Sequence, residues 1–546
     1  VVFLKRVLIN LLVFLLLGNF AFADLSPEPD NPDLSPEPTP IDISQVIPIN
    51  SSAISYSSPA VAELDGDISN GKEIVVASSD SKVHAYHSNG SILWSHTLPN
   101  SNCSATSNSN KIFSSPAIGN LYNDGIPYVV IGYGGIGGAT CGGGVVAING
   151  LTGQKKWHFN LKKFIARKRI WAMLYAVFGT PSLADVNGDG LLEIGFGSHD
   201  RGIYLLSHTG KLIWRLVAAD TVWSSPAFAD TDGDGLLEMI IGTDITGNQH
   251  LVPPTQDGGI LYAIKTNDVK DNKRRYRAKL YNFRDSRIVK WMKEFDQTIM
   301  SSPSIGELIP NNPGLEVVIG SGCYFPEGTN NKRGRWFKIL SLSSGEVLNT
   351  LNITACSSST AAIGDLDDDG KNEIAVSVNG NSGVGGDGFG RLMAFNPNES
   401  EPFWSVIPED RSGNYNLAGN YLSPIIADVD GNGSLEVLLG NSRSVHVFAG
   451  SNGEALSCQG DNCNDLPSFR TGNIVQSTPN VSDLNYDGIP EMVIGSANNG
   501  YGAIYIWSNL VGKIVSDAGT QEAFASPWNS YKGNDFRSGI NNSTSF

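Results

Sequence analysis

The sequence predicts an all-β chain folded as an eight-bladed β-propeller of four-stranded blades. Three observations predict it. One phrase recurs eight times, most copies are followed by a second apolar strand pair hinged on a glycine, and helical periodicity is nearly absent.

The repeated phrase is a small polar pair, usually followed by proline, then a short apolar stretch, an acidic loop and an apolar strand. The copies begin "SSPAVAELDGDISNGKEIVVAS" (57–78), "SSPAIGNLYNDGIPYVVIG" (114–132), "GTPSLADVNGDGLLEIGFG" (179–197) and "SSPAFADTDGDGLLEMIIG" (224–242). They continue with "SSPSIGELIPNNPGLEVVIG" (301–320), "SSTAAIGDLDDDGKNEIAVS" (358–377), "LSPIIADVDGNGSLEVLLG" (422–440) and "STPNVSDLNYDGIPEMVIG" (477–495). From Pro59 to Pro479 the phrase advances seven steps, a mean period of about 60 residues. After most copies comes an alternating run such as "GIYLLS" (202–207), a glycine turn, and a strand with a tryptophan, at Trp94, Trp157, Trp214, Trp291 and Trp404. Four short strands per unit at this spacing suit radial stacking, in which each blade buries its faces on its neighbours. An open solenoid is the competing architecture, but its coils are usually shorter.

The acidic loops predict metal sites. Counting from the first acid, the third copy places Asp185, Asn187 and Asp189 at positions 1, 3 and 5, Gly190 at 6 and Glu193 at 9. Alternate residues of a tight loop point to one side, so their oxygens converge, and the glycine admits a backbone angle that other residues resist. The same set recurs as Asp230, Asp232, Asp234 and Glu238; as Asp365, Asp367, Asp369 and Glu373; as Asp428, Asp430, Asn432 and Glu436; and as Asp483, Asn485, Asp487 and Glu491. A flexible array of hard oxygen donors suits Ca²⁺ better than the smaller, octahedral Mg²⁺. An EF-hand also opens D-x-D-x-D-G, but it closes at position 12 between helices. Here strands flank the loop. The second copy, with Asn120, Tyr122 and Tyr128 at positions 1, 3 and 9, is expected to bind nothing. The first (Glu63, Asp65, Asp67, Glu73) and fifth (Glu307, Glu316) depart in spacing, and their metal binding stays open.

These loops resemble FG-GAP/VCBS-type repeats, the units of calcium-bearing propellers similar to the integrin α-subunit head. The resemblance covers about residues 56–515 and rests on D-x-[DN]-x-[DN]-G before an apolar strand; most of the family has Asp at position 9, where this chain has Glu. It implies a calcium-stabilised adhesion or binding module. The segment "AINGLTGQKKW" (147–157) also resembles the tryptophan motif of quinoprotein dehydrogenase propellers, whose quinone-pocket residues have no match here.

The flanking segments set the context. Residues 1–23, with Lys5 and Arg6 before an apolar run and Ala21-Phe22-Ala23 at its end, predict a secretory signal. The expected organisation is a Pro-rich acidic linker at 24–45, a propeller at 46–517, and a tail at 518–546 that closes the ring. The tail phrase "SPWNSYKGNDFRSG" (526–539) resembles a terminal phrase of bacterial repeat proteins of this type. No later run is long and apolar enough to span a membrane, so the mature chain is expected without a transmembrane segment and secreted, periplasmic or on the cell surface. Six cysteines fit an oxidising compartment, and sequence order suggests Cys103 with Cys141, Cys323 with Cys356 and Cys458 with Cys463 among the possible pairings. A net charge of −16, or −18 without Lys5 and Arg6, argues against nucleic acid as a partner.

No nucleophile elbow, zincin motif or dinucleotide fingerprint in context is present, so no catalytic residue is assigned. Blade topology puts the acidic loops, which join first to second strands, on one face. The long second-to-third loops (132–144, 243–259, 321–336 and 379–391) fall on the other. Recognition of an extracellular glycan or protein is placed there, with Tyr133, His250, Tyr324, Arg335, Trp336 and Phe389 as ligand-binding residues. Basic clusters at 155–169 and 265–293 read as a patch for an acidic partner or as solvated insertions, the second on the acidic-loop face. The enzyme alternatives are a polysaccharide lyase and, with less support, a quinoprotein dehydrogenase.

Overall fold

The computed structural model describes residues 45–510, apart from 50–52, 55, 100–111, 135–141, 169–174, 246–253, 267–278, 311, 326–332, 380–389, 409–421, 442, 458–468, 472–473, 499–500 and 509. The signal, most of the linker, the tail, His250, Phe389 and Cys103, Cys141, Cys458 and Cys463 therefore lie outside the described residues. Among those described, no helix is long and apolar enough to cross a membrane.

Eight small sheets form the eight blades. Blades 1 to 4 have as their first three strands Ala60–Ala62, Glu73–Ser78 and Lys82–Tyr86; Ala117–Gly119, Tyr128–Tyr133 and Gly144–Asn149; Ser182–Ala184, Glu193–Ser198 and Gly202–Leu206; and Ala227–Ala229, Glu238–Ile245 and Gly258–Ile264. Their fourth strands are Ile92–Thr97, Lys155–Asn160, Leu212–Val217 and Val289–Phe295. Blades 5 to 7 follow as Ser304–Gly306, Glu316–Gly320, Trp336–Ser341 and Val347–Asn352; Ala362–Gly364, Glu373–Val378, Arg391–Phe395 and Trp404–Val406; and Ile425–Ala427, Glu436–Asn441, Ser444–Ala449 and Phe469–Arg470. Blade 8 contributes Asn480–Ser482, Glu491–Asn498 and Tyr501–Trp507, and its outer strand is Gln45–Ile49 from the other end of the chain, with Ile47 opposite Ile504. That pairing closes the ring.

The core is a ring of layers between blades. The apolar clusters join blade 1 to 2, 2 to 3, 3 to 4, 4 to 5, 7 to 8 and 8 to 1, and one spans blades 5 to 7. Second strands such as Glu73–Ser78 and Glu193–Ser198 are buried along their whole length. Covered on both faces, they read as continuous apolar runs where a half-buried strand would alternate. The glycine ending many of these runs has a packing cause. A Cβ on Gly197 would lie 2.2 Å from Val222 Cγ1, and one on Gly242 would lie 2.2 Å from Ile299 Cγ2. The β-branched residue leading into the next blade fills that space.

The small polar pair of each repeat builds a belt around the axis. The backbone N–H of Ser58 donates to Ser115 Oγ at 2.9 Å, Ser115 N–H to Thr180 Oγ1 at 3.0 Å, Thr180 N–H to Ser225 Oγ at 2.8 Å and Ser225 N–H to Ser302 Oγ at 3.2 Å. Thr360 N–H donates to Ser423 Oγ at 2.9 Å, and Thr478 N–H to Ser58 Oγ at 3.1 Å, across the closure. Each hydroxyl satisfies a buried amide of the neighbouring blade, a group that is costly to leave unpaired. A second set of links lies further out. The indole N–H of Trp94 donates to Gly150 O at 2.5 Å, Trp157 to His208 O at 2.8 Å, Trp291 to Leu342 O at 2.9 Å and Trp404 to Gly450 O at 2.6 Å. Trp214 makes no such bond. An extra strand from the blade 4 insertion, Lys279–Asn282, runs parallel to Leu212–Val217 beside it.

Two local features depart from the repeat. Helix α1, Leu161–Lys168, follows blade 2 and carries part of the first basic cluster, with the N–H of Lys163 donating to Asn160 Oδ1 at 2.8 Å. A disulfide between Cys323 and Cys356, the pairing expected from sequence order, ties the long loop of blade 5 to the link into blade 6.

Candidate metal centres

Each acidic loop joins the first strand of a blade to its second, and in blades 3, 4, 6, 7 and 8 its first Asp organises the turn. In blade 4, Asp230 Oδ1 accepts the N–H groups of Asp232 (3.2 Å), Gly233 (2.7 Å) and Asp234 (3.2 Å), and Oδ2 accepts that of Gly235 (2.8 Å). Asp185 in blade 3 does the same for Asn187, Gly188, Asp189 and Gly190. The glycines at position 6 sit at positive φ, +82° at Gly190 and +81° at Gly370, where a Cβ would be strained.

The position 9 glutamate is the first residue of the buried second strand. One of its oxygens reaches back to the loop: Oε2 accepts the N–H of Leu366 at Glu373 (2.8 Å), of Val429 at Glu436 (2.8 Å) and of Leu484 at Glu491 (2.7 Å). The other oxygen faces the loop acids. Burial, with the charge of those acids added, pushes the carboxyl up to about 9 at Glu436, about 8 at Glu193 and about 7 at Glu373 and Glu491. A cation placed among them reverses that cost.

Ligand atoms converge within 4.8 Å in four groups among the described residues: Asp230, Asp232 and Asp234; Asp365, Asp367 and Glu373; Asp428, Asp430 and Glu436; and Asp65, Glu73 and His87. That spacing lets one divalent ion bridge each group. Blade 7 has the most enclosed set, with Asp428, Asp430 and Glu436 at 0%, 4% and 2% exposure, and no ion pair reaches it among the described residues. The loops of blades 3 and 8, with Asn187 and Asn485 at position 3, keep the same turn: Asp189 N–H donates to Asn187 Oδ1 at 2.9 Å and Asp487 N–H to Asn485 Oδ1 at 3.0 Å.

Three blades carry groups that the sequence reading missed. In blade 4, Lys290 Nζ lies 2.5 Å from Asp232 Oδ2 and 3.1 Å from Glu238 Oε2. In blade 2, whose loop keeps Asn120 and Asp124 at positions 1 and 5 but has tyrosines at 3 and 9, Lys156 Nζ stands 4.4 Å from the ring centre of Tyr122 and 5.3 Å from that of Tyr128, and Tyr128 donates to Asp124 Oδ2 at 3.0 Å. Lys156 and Lys290 each precede the fourth-strand tryptophan, a register legible once the repeats are aligned. In blade 1, His87 Nδ1 lies 3.0 Å from Glu73 Oε1 and 3.8 Å from Asp65 Oδ2, so that group mixes nitrogen with oxygen. Blade 5 satisfies Glu316 Oε1 from within, through Asn312 Nδ2 at 2.6 Å.

On the long-loop face, two of the expected ligand residues prove to be strand residues. Tyr133 ends the second strand of blade 2, is 2% exposed, and shares a 2.7 Å hydrogen bond with His158 Nε2. Trp336 opens the third strand of blade 5, is 5% exposed, and donates to Asp296 Oδ1 at 3.1 Å. The strands run further than the glycine-rich sequence suggests, which draws both rings into the interblade layers. Tyr324 and Arg335 are half-buried on the loop side; burial, aided by Asp244, Asp220 and Asp257, pushes the Tyr324 hydroxyl up to about 12. His84, Tyr204 and His446 are buried third-strand residues packed near Tyr86, Phe196 and Phe448.

Comparison with known proteins adds a family match to this geometry. The FG-GAP-like repeat family matches residues 180–241, which span blade 3 and the acidic loops of blades 3 and 4. No curated protein sequence matches the chain. Among solved structures the chain is similar to a europium-containing methanol dehydrogenase, at 9% identity over 85% of this chain and 93% of that one, with a TM-score of 0.55. It is similar to the quinohemoprotein alcohol dehydrogenase of Comamonas testosteroni at 13% identity over 88% and 77%, TM-score 0.53. It is also similar to the exotype rhamnogalacturonan lyase YesX at 13% identity over 84% and 75%, TM-score 0.50. At these identities the likeness is one of fold.

Proposed function

We propose that the chain is a calcium-stabilised propeller, displayed outside the cytoplasm, that binds an extracellular glycan or protein on its long-loop face. The buried Asp428, Asp430 and Glu436 of blade 7 carry the reading, because three carboxyls that converge with no cationic side chain beside them among the described residues call for a bound ion. Calcium is favoured over magnesium because the donors are carboxylate and amide oxygens on a flexible turn, where magnesium demands a near-ideal octahedron. The Cys323–Cys356 disulfide supports an oxidising compartment. With the ions buttressing one face, the other is free to vary its loops for recognition.

Thermal melts with and without EGTA, paired with a glycan array read in both conditions, test the proposal. An extracellular site at about a hundred times its dissociation constant adds about 2.7 kcal/mol. A midpoint unmoved by EGTA overturns the calcium role, and an array and surface-protein screen with no calcium-supported ligand overturns the binding role.

A further inference from the structure

We propose that the mouth of the central channel, on the long-loop face, is a pocket for one neutral sugar ring, the terminal unit of a glycan. The inference rests on the binding-module reading and assigns it a site that the loop-based expectation did not include. The residue two places before the belt position of each repeat faces the axis: Tyr56, Phe113, Phe178 and Trp223 from blades 1 to 4, then Met300, Ser358 and Gln476 from blades 5, 6 and 8. The equivalent position of blade 7 lies outside the described residues.

Half of the mouth is therefore an aromatic arc. Tyr56 stacks on Phe113 with ring centres 5.0 Å apart, Phe113 meets Phe178 at 4.4 Å, and Phe178 meets Trp223 at 5.3 Å. Behind the last pair the fully buried His199 packs 4.1 Å from Phe178 and 4.3 Å from Trp223. Burial pushes its imidazole down to about 3, so it stays neutral and serves as a third ring of the wall. Trp223 is held by its edge: Nε1–H donates to Thr221 Oγ1 at 3.2 Å, and that hydroxyl donates to the buried Asp244 Oδ2 at 2.7 Å. Fixing the edge holds the indole in place at the pocket wall. Tyr56, in the connection between Gln45–Ile49 and Ala60–Ala62, adopts φ +66°, a left-handed angle that a bulky residue seldom takes.

The far wall mixes one apolar side chain with polar ones, and the floor is polar. Met300, Ser358 and Gln476 face the arc, the serine and threonine belt lies beneath, and among the described residues no charged side chain lines the pocket. Its volume, about 70 Å³, is near half of the roughly 150 Å³ that encloses a benzene ring, so a sugar ring would seat by one face and project from the mouth. A pyranose offers an apolar C–H face to the arc and hydroxyls to the amide and belt. A phenyl side chain of a protein partner would leave the Gln476 amide without a partner, and a charged ligand would meet no counter-charge among the described residues.

Saturation-transfer NMR on the full chain tests this, with methyl glycosides of glucose, galactose and mannose as probes and methyl glucuronate, acetyl-arginine amide and acetyl-tyrosine amide as competitors. Saturation of the ring protons of at least one neutral glycoside is expected, weakened roughly tenfold or more by Trp223→Ala. Gln476→Phe, which fills the pocket while leaving every aromatic in place, is expected to abolish it with a melting point near that of the unchanged protein. The proposal is overturned if no neutral glycoside binds at millimolar concentration, if binding survives both substitutions, or if a competitor binds in preference. A glycan-array signal that persists in both variants removes this pocket and leaves the broader binding reading standing; an array that is blank for the unchanged protein removes both.

Discussion

Blades 2 and 7 occupy equivalent places in the ring and build the same turn with opposite charge. In blade 2 the chain supplies its own cation, with Lys156 over Tyr122 and Tyr128 and few acids left to balance. In blade 7 three carboxyls are buried against each other with no such partner among the described residues. Blade 4 stands between them, with a full acidic loop into which Lys290 reaches. The contrast is between a turn with a lysine standing over its rings and a turn whose converging carboxyls have no cationic side chain beside them among the described residues.

Breaking the blade 7 side should have the largest effect. Asp430→Asn is expected to lower the melting midpoint with calcium, by the stability of one site, about 2–3 kcal/mol near saturation. In EGTA the same change should leave the midpoint level or raise it, because one repelling charge is gone. Melts in the two buffers read the crossing, and a variant equally destabilised in both would count against an ion at this loop. The lysine side should respond differently. Lys156→Met is expected to cost about 0.5–1 kcal/mol through lost cation–π contact at an exposed lysine, equally in calcium and EGTA, as urea titrations would record.

Blade 4 sharpens the contrast. Removing its internal competitor with Lys290→Met should tighten calcium binding there, raising the total stoichiometry or the affinity of the weakest step in isothermal titration. An unchanged isotherm would show that Lys290 and the ion do not share the turn.

The smallest effect is a slope with pH. Burial, reinforced by neighbouring acids, raises the folded carboxyl of Glu436 to about 9 and of Glu193 to about 8, from 4.5 in the free residue. Between 4.5 and those values the folded chain keeps protons that the unfolded chain has released. Stability without calcium should therefore fall as pH rises through that window. With calcium the ion favours the ionised form, and the slope should flatten. Denaturant midpoints at several pH values in each buffer measure both.

Much of this was legible in the sequence. The period, the blade count, the acidic turns with glycine at positive φ, and the repeated tryptophan all follow from local pattern. What escaped depends on contacts between distant parts of the chain. The use of the small polar pair appears only when Thr478 meets Ser58 across the closure. The outer strand Gln45–Ile49 lies ahead of the first repeat and matches none of its phrases, and closure was looked for in the tail, which lies outside the described residues. Tyr133 and Trp336 read as loop residues because glycine-rich stretches adjoin them, yet strand pairing carries both inward. The channel aromatics each look like an ordinary residue before a turn, and only the ring gathers them.

The most direct test of the central claim is anomalous diffraction from crystals grown in calcium, with each acidic turn read separately. The account predicts calcium peaks at the turns of blades 3, 6, 7 and 8, a weaker one at blade 4, and none at blade 2. An empty turn at blade 7, or an ion seated beside Lys156, would contradict it.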